Sequence, residues 1–260
     1  MSRLWPETVR IALFPGHAHL QRRRWPGAAT EHAAALPATD DPFEALAALG
    51  DLLQARPLPF GRNAAVALTV SDRYAACTAL PWQAALTRPA EYRSYAQACF
   101  EQLGLTIDDG WVVHADYRSH GAPGFAHAFS RPWLEALRSQ LAGHGLRLQR
   151  VLPVSALAYH RHRPASPAGE IVLLHERHAF TALVYRQRKL QQYDVEPATG
   201  QPAAACRRLL MRSAAACPGI VLLRGWTPDA AAPGLDPQPL QAALPDAGFE
   251  RLHLRHWERP

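Results

Sequence analysis

Several residue patterns in this chain have the types and spacing for chemistry. Histidines come in close pairs: His17 with His19, His160 with His162, His253 with His256, and His175 with His178 around Glu176. Residues two apart on a strand share a face, so such a pair can supply half of a metal site. No Cys or carboxylate joins these pairs at ligand spacing, and HERH lacks the spacing of a zinc-protease HExxH helix, so no metal is expected. Among carboxylates, Asp72 and Asp116 fall near strand ends, where a catalytic acid can sit. Asp108-Asp109 beside Gly110 reads as turn chemistry. There is no GxSxG elbow, Walker A loop or GxGxxG fingerprint, and no catalytic residue is assigned. Arg22-Arg23-Arg24-Trp25 and Arg186–Lys189 are the candidate basic stretches for nucleic-acid contact. Both lie on hairpin strands, where alternation divides their charges between two faces. A charge-guarded sheet edge explains them without nucleic acid as partner.

The elements that must position these groups show a pattern that occurs twice. Residues 9–24 and 170–193 each read as strand, tight polar turn, strand. The first is followed by a third strand at 28–36, a helix at 42–55 capped by Asp40 or Asp41, and a buried strand at 64–70 that continues over 73–80 after a turn at Ser71-Asp72. A helix at 89–103, strands at 111–116 and 124–130, a helix at 132–142, a strand at 146–152 and a short helix over 154–162 complete the first half. Residues 163–169 (RPASPAG) form the clearest linker. After the second hairpin come a helix at 202–216, a strand at 220–224, a helix near 239–244 and a last strand at 249–256.

The 260 residues suffice for a sizeable core in two lobes, and 48% are hydrophobic. The formal charge of +6 is almost wholly arginine, since Lys189 is the only lysine. Cys77, Cys99, Cys206 and Cys217 lack CxxC spacing and read as buried thiols of a reducing compartment. The start, MSRLWPETVR, has charges where a signal peptide needs an apolar core. No apolar run approaches the roughly 20 residues that span a bilayer. A cytoplasmic location is expected, with any membrane role peripheral.

The order of elements, together with the stretches AVALTVSDRYAACTALPW, EYRSYAQACFEQLGL, WVVHADYR and LRLQRVLPVSALAYHRHR, resembles the actin-like ATPase fold of PilM pilus-assembly proteins and GspL cytoplasmic domains. The resemblance implies an α/β, two-lobed, duplicated (ribonuclease H-like) fold with mixed sheets flanked by helices. It places the first lobe at 1–163, with an inserted small subdomain at about 81–146, and a truncated second lobe at 164–260.

In that family, ATP with Mg sits between two hairpin turns that carry Asp, Gly and a hydroxyl residue. The matching turns here are Leu13-Phe14-Pro15-Gly16-His17, which has no carboxylate and a proline without an N–H, and Leu174-His175-Glu176-Arg177-His178, which has Glu176 but no glycine. The adenosine motif matches Arg224-Gly225-Trp226, with one glycine kept. Gly16, His17, Glu176, Arg177 and Gly225 thus form a degenerate nucleotide site, and no cofactor is expected. The resemblance implies a non-catalytic scaffold of a type IV pilus or type II secretion assembly. Its partner would be an inner-membrane protein with a short cytoplasmic tail, PilN-like or GspL/GspM-like, gripped near Trp82 and Leu86 of the small subdomain. A second copy of the chain is a further candidate partner. The alternatives are an active ATPase or sugar-kinase-like enzyme of the same fold, or a basic nucleic-acid-binding protein.

Overall fold

Two strands carry apolar side chains on both faces, over Ile11–Phe14 and Ile171–Leu174, because both of their faces are covered. The computed structural model describes residues 8–23, 30–55, 64–165, 167–229 and 232–252. In it β1 (Thr8–Phe14) turns Val9, Ile11 and Leu13 toward one core and Ala12 and Phe14 toward another. β9 (Gly169–Glu176) does the same with Ile171 and Leu173 on one side and Val172 and Leu174 on the other. A strand buried on both faces loses polar alternation, which is why these runs read as continuous.

Each of these strands is central in its own sheet. β1 pairs antiparallel with β2 (His17–Arg23), and β2 with β3 (Thr30–Ala35). On its other side β1 runs parallel to β4 (Ala64–Val70), which runs parallel to β8 (Leu146–Pro153). The resulting order is β3-β2-β1-β4-β8. The second sheet repeats it as β11-β10-β9-β12-β13, with β10 at Ala179–Arg186, β11 at Lys189–Pro197, β12 at Ile220–Trp226 and β13 at Gly248–Arg251. An antiparallel three-strand meander followed by two parallel strands therefore occurs twice, the duplication anticipated from the hairpins.

Helices α1 (Pro42–Ala55) and α3 (Arg131–Gly143) cover the outer face of the first sheet; α5 (Pro202–Ala216) and α6 (Pro237–Ala243) cover that of the second. Asp41 caps α1 by accepting from the Phe43 amide at 2.8 Å. Between the sheets lies a middle core built on α4 (Val154–Arg161), in which Tyr159, Phe14, Leu174 and Trp226 pack together. A third, three-stranded sheet of order β5-β7-β6 joins Ala76–Leu80, Gly124–Ser130 and Trp111–Asp116, with α2 (Pro89–Gln102) on its face.

Two expected strands differ. Residues 73–80 do not continue β4: Asp72–Tyr74 form a 3-10 turn, capped by the Ser71 hydroxyl, that redirects Ala76–Leu80 into the small sheet. The second hairpin is a three-strand meander, because Gln187 and Arg188 take φ of 51° and 62° and close a second turn before β11. The tail of the final strand and residues Arg24, Trp25, His253 and His256 lie outside the described residues. No helix among the described residues is long and apolar enough to cross a membrane. All four cysteines are free and buried.

Candidate functional site

The first hairpin turn is built from Pro15 and Gly16. Gly16 has φ +93°, the left-handed conformation that a Pro-Gly type II turn requires at its second position. Its donor is already used: the Gly16 amide gives its hydrogen to the Pro37 carbonyl at 3.2 Å, and Leu36 donates back to the Gly16 carbonyl at 2.9 Å. Pro15 has none to give.

The second turn lies against the first. A Cβ on Gly16 would sit 3.2 Å from the Arg177 guanidinium. A single carboxylate links the two turns: Asp229, fully buried in the loop after β12. Its Oδ2 accepts from the Arg177 amide at 3.0 Å, and its Oδ1 lies 3.0 Å from His17 Nδ1. His17 is further held by stacking on Phe14, with ring centroids 5.1 Å apart. A carboxylate from the protein thus stands between the two turns, taking a backbone N–H of the second and lying beside a side chain of the first.

Deeper in the same junction, carboxyls from the ends of β4 and β9 meet. The Asp72 amide donates to Glu176 Oε1 at 3.2 Å. Asp72 in turn accepts from the Ser155 amide at 3.0 Å and from the Ser155 hydroxyl, at the start of α4. Burial, with the neighbouring Asp72 charge, pushes the Glu176 carboxyl up to about 8, against hydrogen bonds from Ser71 and the Asp72 amide. Burial likewise lifts Asp72 to about 6, against the Ser155 hydrogen bonds. Two close carboxyls in a dry site share protons instead of both ionising, so Glu176 is held largely neutral near pH 7.

Of the degenerate-site residues, the structure brings Gly16, His17, Glu176 and Arg177 together. Gly225 stands apart in β12, where a Cβ would meet Leu235 at 2.6 Å and a Phe249 ring carbon at 3.0 Å, so close packing requires the glycine. Its neighbour Arg224 reaches Glu250 at 3.1 Å and the buried Glu170 at 3.6 Å. Trp82 lines a groove of about 580 Å³ between β5 and β11, with its ring edge-on to Tyr117 at 5.4 Å and His120 at 4.8 Å. Leu86 is not part of that lining; its carbonyl accepts from the Tyr92 hydroxyl at 3.2 Å in the segment leading to α2.

The histidine pairs separate. His160 lies on α4 facing Asp116 at 3.4 Å, whereas His162 pairs with Glu170 at 2.6 Å. Among the described residues no three His, Cys, Asp or Glu side chains converge as a metal site. Sequence reasoning missed Asp229 and the role of Ser155. The available signal was Asp229 itself, the first carboxylate after a buried strand in an Ala- and Pro-rich loop.

With the duplicated 3-2-1-4-5 sheets and the turns that face each other between them, the chain has the two-lobed actin-like fold. The structure is similar to the cytoplasmic domain of EpsL, an inner-membrane component of the type II secretion system of Vibrio cholerae. That likeness has 14% identity over 95% of this chain and 90% of that one, with a TM-score of 0.56. It is similar to a PilM-PilN type IV pilus biogenesis complex (14% identity, 96% and 89% covered, TM-score 0.60). It is also similar to a Bacteroides thetaiotaomicron protein with an actin-like ATPase fold and unknown function (8% identity, 94% and 90% covered, TM-score 0.64). No protein-family profile matches the chain, and no curated protein sequence does.

Proposed function

We propose that this protein is a non-catalytic actin-like scaffold of a pilus- or secretion-type assembly platform. It would act at the cytoplasmic face of the inner membrane and hold an extended segment of a membrane partner. The observation that carries the reading is the Asp229 carboxylate between the two hairpin turns. It takes the Arg177 amide and approaches His17, while the Gly16 amide is spent on Pro37. A bound phosphate would have to displace a buried carboxylate and bring its own charge beside it. The similarity to the EpsL domain and the PilM-PilN complex supports the assembly setting.

The division into lobes at 1–163 and 164–260, with the small subdomain at about 81–146, belongs to the same reading. The small sheet begins at Ala76, and α3 packs on the first large sheet. For the partner, the groove at Trp82 has suitable chemistry. Its walls are β5 and β11, each an edge strand of its own sheet, and an edge offers backbone hydrogen bonds to an added extended segment. Trp82 supplies an aromatic anchor, and aromatics of this kind dominate interface energetics.

The enzyme reading, an ATPase or sugar-kinase-like protein, would draw on the Asp72 and Glu176 pair. Titration calorimetry with Mg-ATP separates the two. The scaffold reading expects no heat of binding and no hydrolysis, with recovery of an inner-membrane protein on affinity-purified wild type that falls with Trp82→Ala. Micromolar Mg-ATP binding lost in Glu176→Gln would overturn it.

A further inference from the structure

Away from the hairpin turns, a cavity of about 630 Å³ lies where the β6–β7 loop, the end of α4 and the β10–β11 turn meet. Its charge is unbalanced. Arg118, Arg163, Arg188 and Lys189 line it, and the one carboxylate of the lining, Asp116, already faces His160 at 3.4 Å. The three outer cations are exposed and tethered by carbonyls: Arg163 to His160 at 2.8 Å, Arg188 to Ala165 at 3.3 Å, Lys189 to Gly121 at 3.0 Å. Each keeps donors in reserve, since an ammonium has three and a guanidinium five.

Arg118 is different. Its guanidinium carbon lies 4.2 Å from the centroid of the Tyr159 ring, and its Nε and Nη2 are buried with no hydrogen-bond partner among the described residues. Tyr185 also lines the cavity; it is 1% exposed, and its hydroxyl has no partner either. Buried donors of this kind are costly to leave unpaired and normally find an acceptor. Burial pulls Arg118 below the ordinary arginine range, in keeping with a desolvated cation that lacks a close counter-charge. The turn that delivers Arg188 holds two non-glycine residues at positive φ, an uncommon arrangement that L-residues adopt at a cost.

We propose that this cavity binds a phosphate-bearing anion, free or as the headgroup of a lipid, through Arg118 and the Tyr185 hydroxyl, with Arg163, Arg188 and Lys189 at the rim. A guanidinium matches phosphate oxygens with a planar fork of donors, and the excess of cations suits a dianion better than a single carboxylate. The site is separate from the hairpin turns and does not depend on the scaffold reading.

The test titrates the full chain with inorganic pyrophosphate at low salt. In parallel, it is sedimented with phosphatidylcholine vesicles with and without phosphatidylglycerol. The expected result is binding of one or both anionic probes, weakened about tenfold or more in Arg118→Gln. Tyr185→Phe, which keeps the ring in the core, should weaken it about threefold at an unchanged melting temperature. Binding of pyrophosphate alone identifies a free phosphorylated ligand; binding to the anionic vesicles alone identifies a lipid headgroup. If Arg118→Gln fails to fold, Arg163→Gln and Tyr185→Phe decide the matter. Absence of binding to both probes by the wild type, or equal binding by wild type and folded variants, overturns the proposal.

Discussion

Asp229 Oδ1 lies 3.0 Å from His17 Nδ1, joining the loop that leaves the second large sheet to the turn that opens the first. The same carboxylate accepts the Arg177 amide, so three chain segments converge on one buried group. Asp229→Ala strips the Arg177 amide of its acceptor and removes the carboxylate beside His17. A loss of about 1–3 kcal/mol is expected, read from urea unfolding at pH 7. A variant as stable as the wild type would show that the clasp contributes nothing.

The Asp72 and Glu176 pair sets the sign of a pH dependence. Glu176 binds its proton more tightly folded than unfolded, since burial raises it from 4.5 to about 8. Its contribution is therefore fully present below about pH 4.5 and is lost as pH rises through 8. Asp72 acts in the same direction between its ordinary 3.8 and about 6. Wild-type stability should fall between pH 5 and pH 8, by about 1.4 kcal/mol for each unit of real displacement. Glu176→Gln should flatten that slope, and melting curves at pH 5, 6.5 and 8 measure it. An equal slope in the variant would place the titration elsewhere.

Glu170 is fully buried and meets His162 at 2.6 Å, with the Ala165 amide on its other oxygen at 3.1 Å. Burial pushes this carboxyl up, yet His162 and Arg224 overcome it and hold it below its ordinary value. Removing one partner of such a buried pair leaves the other uncompensated, so Glu170→Ala should cost about 3–5 kcal/mol. Guanidinium unfolding checks this, and a cost below 1 kcal/mol would contradict it.

The β10–β11 turn offers an opposed pair of effects. Gln187 and Arg188 both sit at positive φ, where glycine is free of Cβ strain. Arg188→Gly should relieve about 1 kcal/mol of backbone cost while removing one rim cation from the proposed anion cavity. Higher melting temperature with weaker pyrophosphate binding is the expected combination. Unchanged binding would remove Arg188 from the site.

The elements with strong local signals were readable. Residues 42–55 and 202–216 are helices with the expected bounds, because their apolar spacing and proline starts act within a few residues. The β10–β11 turn was invisible because Gln187-Arg188 carries none of the usual glycine or asparagine punctuation. The departure of Ala76–Leu80 from the first sheet was hidden as well. Its strand character is local, but its choice of neighbours, Gly124–Leu80 onward, is set by packing far away in sequence. At the site, the altered turns were legible as missing donors and glycines. Asp229 was not, since its meaning comes from meeting His17 across more than two hundred residues of chain.

The middle core between the large sheets has a further consequence. Ala12 and Phe14 of the first half, α4, and Val172, Leu174 and Leu183 of the second bury one another. Cutting the chain in the 163–169 connection would leave each piece with an uncovered apolar face, the kind of patch that promotes aggregation. Neither piece should then be a self-sufficient folding unit. Expressed apart they should aggregate, and expressed together they should reassemble, so that the whole chain melts as one cooperative block.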